Sequence, residues 1–317
     1  MAELHCIKRV AWIGFAALTC LGAAHTHARA QECSASWPEV TPVFGAKIRY
    51  GDAEQKSDPY IDVLVNGKPA KMLLDTGSNA HVLWDARLLD GGPPKLRETS
   101  QTLDAIASAT HASEVLLSLV DLTNRQHLQQ FYVIDETPLM ALGYSGIVSP
   151  QFLAKDKVSL IDFKGDCFFV SERFDPGGAG RYLLDALGEI PNAHRVMAIP
   201  LGVRGGRVPV VVDSGAFRTT LLESLVLTAP LGPHRTKQLD LLGNVVPHAG
   251  RTRLVDLSVN GRKMPLHPVV PVPAISEKGV VTLGAIGMDL LRERVIFHDG
   301  DRHRFVFVEN GVETESN

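Results

Sequence analysis

The sequence predicts an all-β protein, with two small β-barrel lobes in one chain in a pseudo-two-fold arrangement. Three observations carry this. The length of 317 residues suggests about two domains at roughly 100–200 residues each. Short apolar or alternating runs recur between turn signals, as small barrels require. The chain also repeats itself. Leu64–Ser78 (LVNGKPAKMLLDTGS) and Gly202–Ala216 (GVRGGRVPVVVDSGA) align without a gap at an offset of 138.

Taken in order, residues 1–30 read as an export signal. Lys8 and Arg9 form a basic start, Val10–Ala24 is apolar but short for a bilayer span, and Ala28-Arg29-Ala30 supplies an A-x-A cleavage site. A lipid attachment at Cys20 is disfavoured, because no small residue precedes it. Cleavage removes Cys6 and Cys20 and leaves Cys33 and Cys167. In an oxidising compartment these two form a candidate disulfide; the alternative is two free thiols, with Cys167 buried in an apolar strand.

The first half is expected over 43–172. Tyr60–Val65 alternates and ends at Asn66-Gly67, a strong hairpin signal. Met72-Leu73-Leu74 reads as a buried strand. Val115–Val120, Phe131–Ile134 and Val158–Ile161 are further strands, with a short helix near Ser149–Ala154. Residues 173–194 are expected to be a linker, glycine-rich at 177–180, with a brief helix over Tyr182–Leu187. The second half, 195–309, repeats the pattern. Val210-Val211-Val212 matches the buried strand, Asn260-Gly261 gives another hairpin, Val295–Phe297 a strand and Met288–Arg294 a short helix. The tail after Asn310 is polar.

Within the repeat, Val65, Gly67, Asp75, Gly77 and Leu83 fall on Val203, Gly205, Asp213, Gly215 and Leu221. Further on, Asp121-Leu122-Thr123 is matched with Asp256-Leu257-Ser258, Gly143-x-x-Gly146 with Gly284-x-x-Gly287, and Phe168–Val170 with Val306–Val308.

Composition narrows the function. Hydrophobic residues are 45% and charged residues 21%, which is ordinary for a globular chain, and the net charge of −3 opposes nucleic-acid binding. Aromatics at 6% disfavour stacking platforms. His298-Asp299-Gly300-Asp301-Arg302-His303 lacks a metal-ligand spacing and reads as a polar hairpin turn, so neither metal nor cofactor is expected. Gly143-Tyr144-Ser145-Gly146 lacks the spacing of a serine-hydrolase elbow. His81 and His111 are read as packed or solvated, and Trp84 as packed beneath the first Asp strand.

Chemistry concentrates in Asp75-Thr76-Gly77-Ser78 and Asp213-Ser214-Gly215-Ala216, each at the end of an apolar strand. One such motif is an ordinary turn. Two at matching positions of a duplicated chain place two carboxylates together. Carboxylates about 3 Å apart cannot both ionise, so they share one proton. The ionised member can deprotonate a water while the protonated member donates to a substrate carbonyl.

At these residues the chain resembles the aspartic peptidases, and their retropepsin-like branch more closely than the pepsins. Gly284-Ala285-Ile286-Gly287-Met288-Asp289-Leu290-Leu291 is similar to a segment of bacterial retropepsin-like proteins. The resemblance implies an exported single-chain endopeptidase, periplasmic or secreted, monomeric, free of the membrane after signal cleavage, with a peptide or protein substrate and no nucleic acid. Asp75 and Asp213 would be the catalytic pair. Thr76 and Ser214 would lock the motifs together, and Gly77 and Gly215 would let the backbone turn. Ser78 would hydrogen-bond Asp75 and make it the more acidic member, because Ala216 cannot do the same for Asp213. Flaps are expected around Ile106, Ala107 and Ser108 and around Leu242, Gly243 and Asn244. A catalytically silent peptide-binding module of the same fold is the alternative reading.

Overall fold

The structure is a computed structural model that describes residues 33, 36–90, 101–104, 109–121, 124–180, 182–183, 196–235, 240–245, 251–259, 262–272, 275–277 and 280–309. The export signal expected at 1–30 lies outside these residues.

Strands dominate, as the alternation and turn signals require. The barrel strands of the first half are β1 (Ser57–Val65), β2 (Lys68–Leu74), β3 (His81–Leu83), β4 (Ala109–Val120), β5 (Gln126–Val133) and β6 (Gly146–Val148). Those of the second half are β7 (Ala198–Val203), β8 (Gly206–Val212), β9 (Thr220–Leu222), β10 (Arg251–Val259), β11 (Arg262–Val272) and β12 (Gly284–Ile286). Neighbours run β1-β2-β6-β3-β5-β4, and β4 pairs back onto β1, so the sheet closes. The second half runs β7-β8-β12-β9-β11-β10 and closes through β7 and β10. In each ring two pairings are parallel, β2 with β6 and β3 with β5, then β8 with β12 and β9 with β11.

Local chemistry explains the ring. On β1 the residues Ile61, Val63 and Val65 point inward and alternate with more exposed ones, which fixes the register. Asn66 (φ 49°) and Gly67 (φ 77°) make a two-residue turn between Val65 and Lys68, with the positive φ pair that suits strand twist. Arg204 (φ 50°) and Gly205 (φ 87°) make the same turn in the second half, although Arg is a poor residue for it. The short helices Pro150–Ala154 and Met288–Leu291 follow β6 and β12, where the sequence suggests them.

A third sheet joins the halves. Its order is Pro42–Lys47, Cys167–Ser171, Val158–Asp162, Val295–Asp299, Arg304–Glu309 and Tyr182–Leu183. Val158–Asp162 thus pairs with its own hairpin partner on one side and with the second half's strand on the other. Ile161, Phe168, Ile296 and Phe307 face the main core, while Leu160, Phe169, Phe297 and Val306 face a smaller cluster capped by Trp37. Cys33 is disulfide-bonded to Cys167 there, and Trp37 Nε1 donates to Asp162 Oδ2 at 2.8 Å.

This sheet corrects the expected brief helix at Tyr182–Leu187. Tyr182 and Leu183 pair with Glu309 and Val308 as the sheet's outer strand, and 184–187 lie outside the described residues. It also alters the reading of His298-Asp299, which belong to a buried strand; only residues 300–303 form the turn.

Candidate active site

Each Asp motif begins where a buried strand ends. Leu74 closes β2 and Val212 closes β8. The next amide continues the parallel pairing, with Asp75 N donating to Val148 O at 3.1 Å and Asp213 N to Ile286 O at 3.0 Å. The chain then turns back on the carboxylate. Gly77 N and Ser78 N donate to Asp75 Oδ1 at 2.8 and 3.1 Å. Gly215 N and Ala216 N donate to Asp213 Oδ1 at 2.9 and 3.1 Å.

The loops lock each other. Thr76 Oγ1 donates to Val212 O at 2.7 Å and accepts from Ser214 N at 2.9 Å. Ser214 Oγ donates to Leu74 O at 2.7 Å and accepts from Thr76 N at 3.0 Å. Both hydroxyls are fully buried. Four hydrogen bonds therefore satisfy four backbone groups that would be orphaned at the ends of the two strands.

This lock brings the carboxyls together, and Asp75 and Asp213 hydrogen-bond through their side chains. A Cβ on Gly77 would lie 2.7 Å from Asp213 Cγ, and one on Gly215 would lie 2.8 Å from Asp75 Oδ2. Glycine is required at both places by that approach. Burial pushes the Asp75 carboxyl up, against the downward pull of the Gly77, Ser78 and Gly215 amides and of Asp213 itself. The pair therefore favours retaining a proton.

The expected role of Ser78 is not met. Its hydroxyl donates to Ala80 O at 2.8 Å, and only its backbone N–H reaches Asp75, as that of Ala216 reaches Asp213. Asp75 therefore lacks the contact expected to make it the more acidic member, and its shift is upward.

Two further correspondences move by three residues. Val148 and Ile286 play the same part beside the two Asp residues, so Gly146 corresponds to Gly284 rather than to Gly287. A Cβ on Gly146 would meet Val82 O at 2.2 Å, and one on Gly284 would meet Thr220 O at 2.2 Å, the same clash in each half. Likewise Leu119 opposes Val65 as Leu257 opposes Val203, so Ser118-Leu119-Val120 matches Asp256-Leu257-Ser258, not 121–123. One offset of 138 residues then spans the barrel strands.

Behind the loops lie groups that motif reading missed. Gln151 Nε2 donates to Thr76 O and Ser78 O, both at 2.9 Å. Ser149 Oγ donates to Ser78 O at 2.7 Å, and Ser149 N donates to His81 Nδ1 at 3.1 Å. His81 packs against Phe131 and is held neutral, lowered to about 3 by burial, with a smaller push from Lys155. In the second half the residue matching Gln151 is Asp289. Its Oδ1 accepts from Thr219 N at 2.9 Å and from Thr219 Oγ1 at 2.8 Å, and its Oδ2 lies 3.1 Å from His267 Nε2. A polar residue three places after each β6-type strand was the available signal.

The flap residues separate. Ile106, Ala107 and Ser108 lie outside the described residues. Leu242, Gly243 and Asn244 form a turn in which Leu242 N and Asn244 N donate to Asp240 Oδ1 at 3.0 and 2.8 Å. That turn reaches the first half. A Cβ on Gly243 would lie 2.5 Å from Pro138 Cγ, and Leu241 and Leu242 pack in one cluster with Leu139, Met140 and Tyr144. Trp84 is buried in the same cluster, and its Nε1 donates to Tyr144 O at 2.7 Å. Among the described residues no group of three metal-ligating side chains occurs. Neither the family models nor the curated proteins contain a match to this chain.

Proposed function

We propose that this chain is an aspartic endopeptidase of the retropepsin-like type, with both lobes in one polypeptide. The observation that carries the reading is the pair of hydrogen-bonded carboxyls at the centre of two reciprocally locked loops. Two carboxyls held this way share one proton. The ionised one takes a proton from water as that water attacks the peptide carbonyl carbon. The protonated one donates to the carbonyl oxygen as the tetrahedral intermediate forms. The Gly77, Ser78, Gly215 and Ala216 amides keep the inner carboxylate oxygens oriented, leaving the pair to move the proton.

The leader-like residues 1–30 and the Cys33–Cys167 disulfide support an exported protein working in an oxidising compartment. The test is incubation of the exported protein with a diverse peptide mixture from acidic to neutral pH. Asp75→Asn and Asp213→Asn should each lower cleavage on the order of 10²–10⁴-fold, and a pepstatin-like compound should inhibit. Cleavage that survives in both variants overturns the reading.

A further inference from the structure

Beside the helical turn 138–142 the first lobe has a pocket of about 330 Å³ that the chemistry above does not use. Its walls include Tyr50, Tyr60, Tyr144, Asp52, Asp58 and Lys71. We propose that this pocket is a substrate subsite for a cationic side chain, lysine or arginine, of a polypeptide bound at the Asp pair. The proposal rests on the peptidase reading and adds the class of substrate.

Position comes first. Lys71 lies on β2 four residues before Asp75, about 13 Å at the rise of a strand. Ser145 N donates to Lys71 O at 2.9 Å, so Tyr144 stands beside the same point. Lys71 and Leu73 alternate with the inward Ala70, Met72 and Leu74, and Asp75 has the parity of the outward set. An extended peptide covers about 3.3–3.6 Å per residue. A peptide running from the Asp pair toward Lys71 would place in the pocket a side chain three or four residues from the bond.

Chemistry comes second. Two carboxylates face one ammonium, so the pocket carries a net negative charge. Among the described residues no cation is ion-paired to Asp52 or Asp58. Asp52 is taken up by its own turn, accepting from Glu54 N, Gln55 N and Gln55 Nε2. Asp58 accepts from Ser57 Oγ at 3.3 Å and holds a left-handed φ of 51° that a non-glycine residue adopts at a cost. Partial desolvation and the nearby Asp52 charge push its carboxyl up, and a cation bound beside it would oppose that shift. Gly51 makes the approach feasible: a Cβ there would lie 2.4 Å from Tyr144 Oη and 3.1 Å from Asp58 Oδ2. Tyr60 and Tyr144 meet edge to face at 5.7 Å and form an aromatic wall. Lys71 Nζ lies 5.3 Å from the Tyr60 ring centre and competes for that wall. The second lobe has Ala198, Pro209 and Thr282 at the places of Tyr60, Lys71 and Tyr144, so the subsite is one-sided.

Two measurements decide it. In the Asp75→Asn/Asp213→Asn protein, Nα-acetyl-lysine N-methylamide should shift the Gly51 and Tyr60 amide resonances saturably. The norleucine analogue should bind about tenfold more weakly, and Asp58→Asn should erase the difference. Equal binding of the two probes overturns the cation site. In the active protein, randomised decapeptides should be cut with lysine or arginine enriched three or four residues from the cut. The enrichment should rise in Lys71→Ala and flatten in Asp58→Asn. Dyad-dependent cutting without enrichment overturns the subsite. Probe discrimination without any dyad-dependent cutting overturns the peptidase reading and leaves a cation site.

Discussion

The two Asp loops make the same hydrogen bonds at the front and different ones at the back. In front, each carboxylate accepts from two amides, and each hydroxyl of the lock serves one amide and one carbonyl. Behind, the first loop rests on a neutral amide, Gln151, next to a neutral His81. At the matching place behind the second, the Asp289 carboxyl bonds Thr219, just past the loop, and faces His267. Shared chemistry at the Asp pair constrains the front of both halves alike. The supports only need to fill volume and satisfy polar groups, and these can be met with or without charge.

The lock should show the equivalence most strongly. Thr76→Val and Ser214→Ala each orphan a buried amide and a buried carbonyl, so each should cost about 2–4 kcal/mol in chemical denaturation. A gap between the two of more than about 2 kcal/mol would break the symmetry claimed for the front.

The supports should show the difference. Asp289→Ala strips Thr219 of its acceptor and leaves His267 without its partner, at about 2–3 kcal/mol. Gln151→Ala takes its donor from Thr76 O and one of two from Ser78 O, which keeps Ser149 Oγ, at about 1–2 kcal/mol. Asp289→Asn should fall between, since an amide oxygen still accepts from Thr219. Denaturant midpoints at constant m-value would rank the three.

A pH-dependent effect also separates the halves. His81 is neutral in the folded state down to about pH 3, whereas in the unfolded chain it gains its proton near 6.5. Its contribution is therefore complete above pH 6.5 and drains away as pH falls toward 3, at up to about 1.4 kcal/mol per pH unit. His81→Thr, which installs the residue found at 219, should remove that slope whatever it does to overall stability. Smallest of all, Ser78→Ala should leave the pH profile of peptide cleavage in place, because the hydroxyl bonds Ala80 and not Asp75.

Much of this was legible in the chain because it is local. The Asp-Thr-Gly and Asp-Ser-Gly turns, the Asn66-Gly67 hairpin and the helices after β6 and β12 each follow from a few adjacent residues. Gly143 misled the alignment because it is glycine for another reason. It ends the helical turn 138–142 at φ 87°, while Gly146 meets the steric demand shared with Gly284. Asp121 misled it similarly: its carboxylate accepts from Gly45 N at 2.6 Å and serves the joining sheet. That sheet itself depends on pairing between hairpins far apart in sequence, which no local pattern encodes. His267 and Asp289 looked like separate polar residues for the same reason.

The joining sheet also sets a timetable. As the chain emerges N-terminus first, Val158–Asp162 has Cys167–Ser171 on one side and nothing on the other until residues 295–299 arrive. Until then the first half presents an apolar strand edge, the kind of surface that recruits foreign strands. The second half's hairpin thus works as a built-in chaperone that arrives late, and a chain truncated before residue 295 should fail by aggregation rather than persist as a free first half.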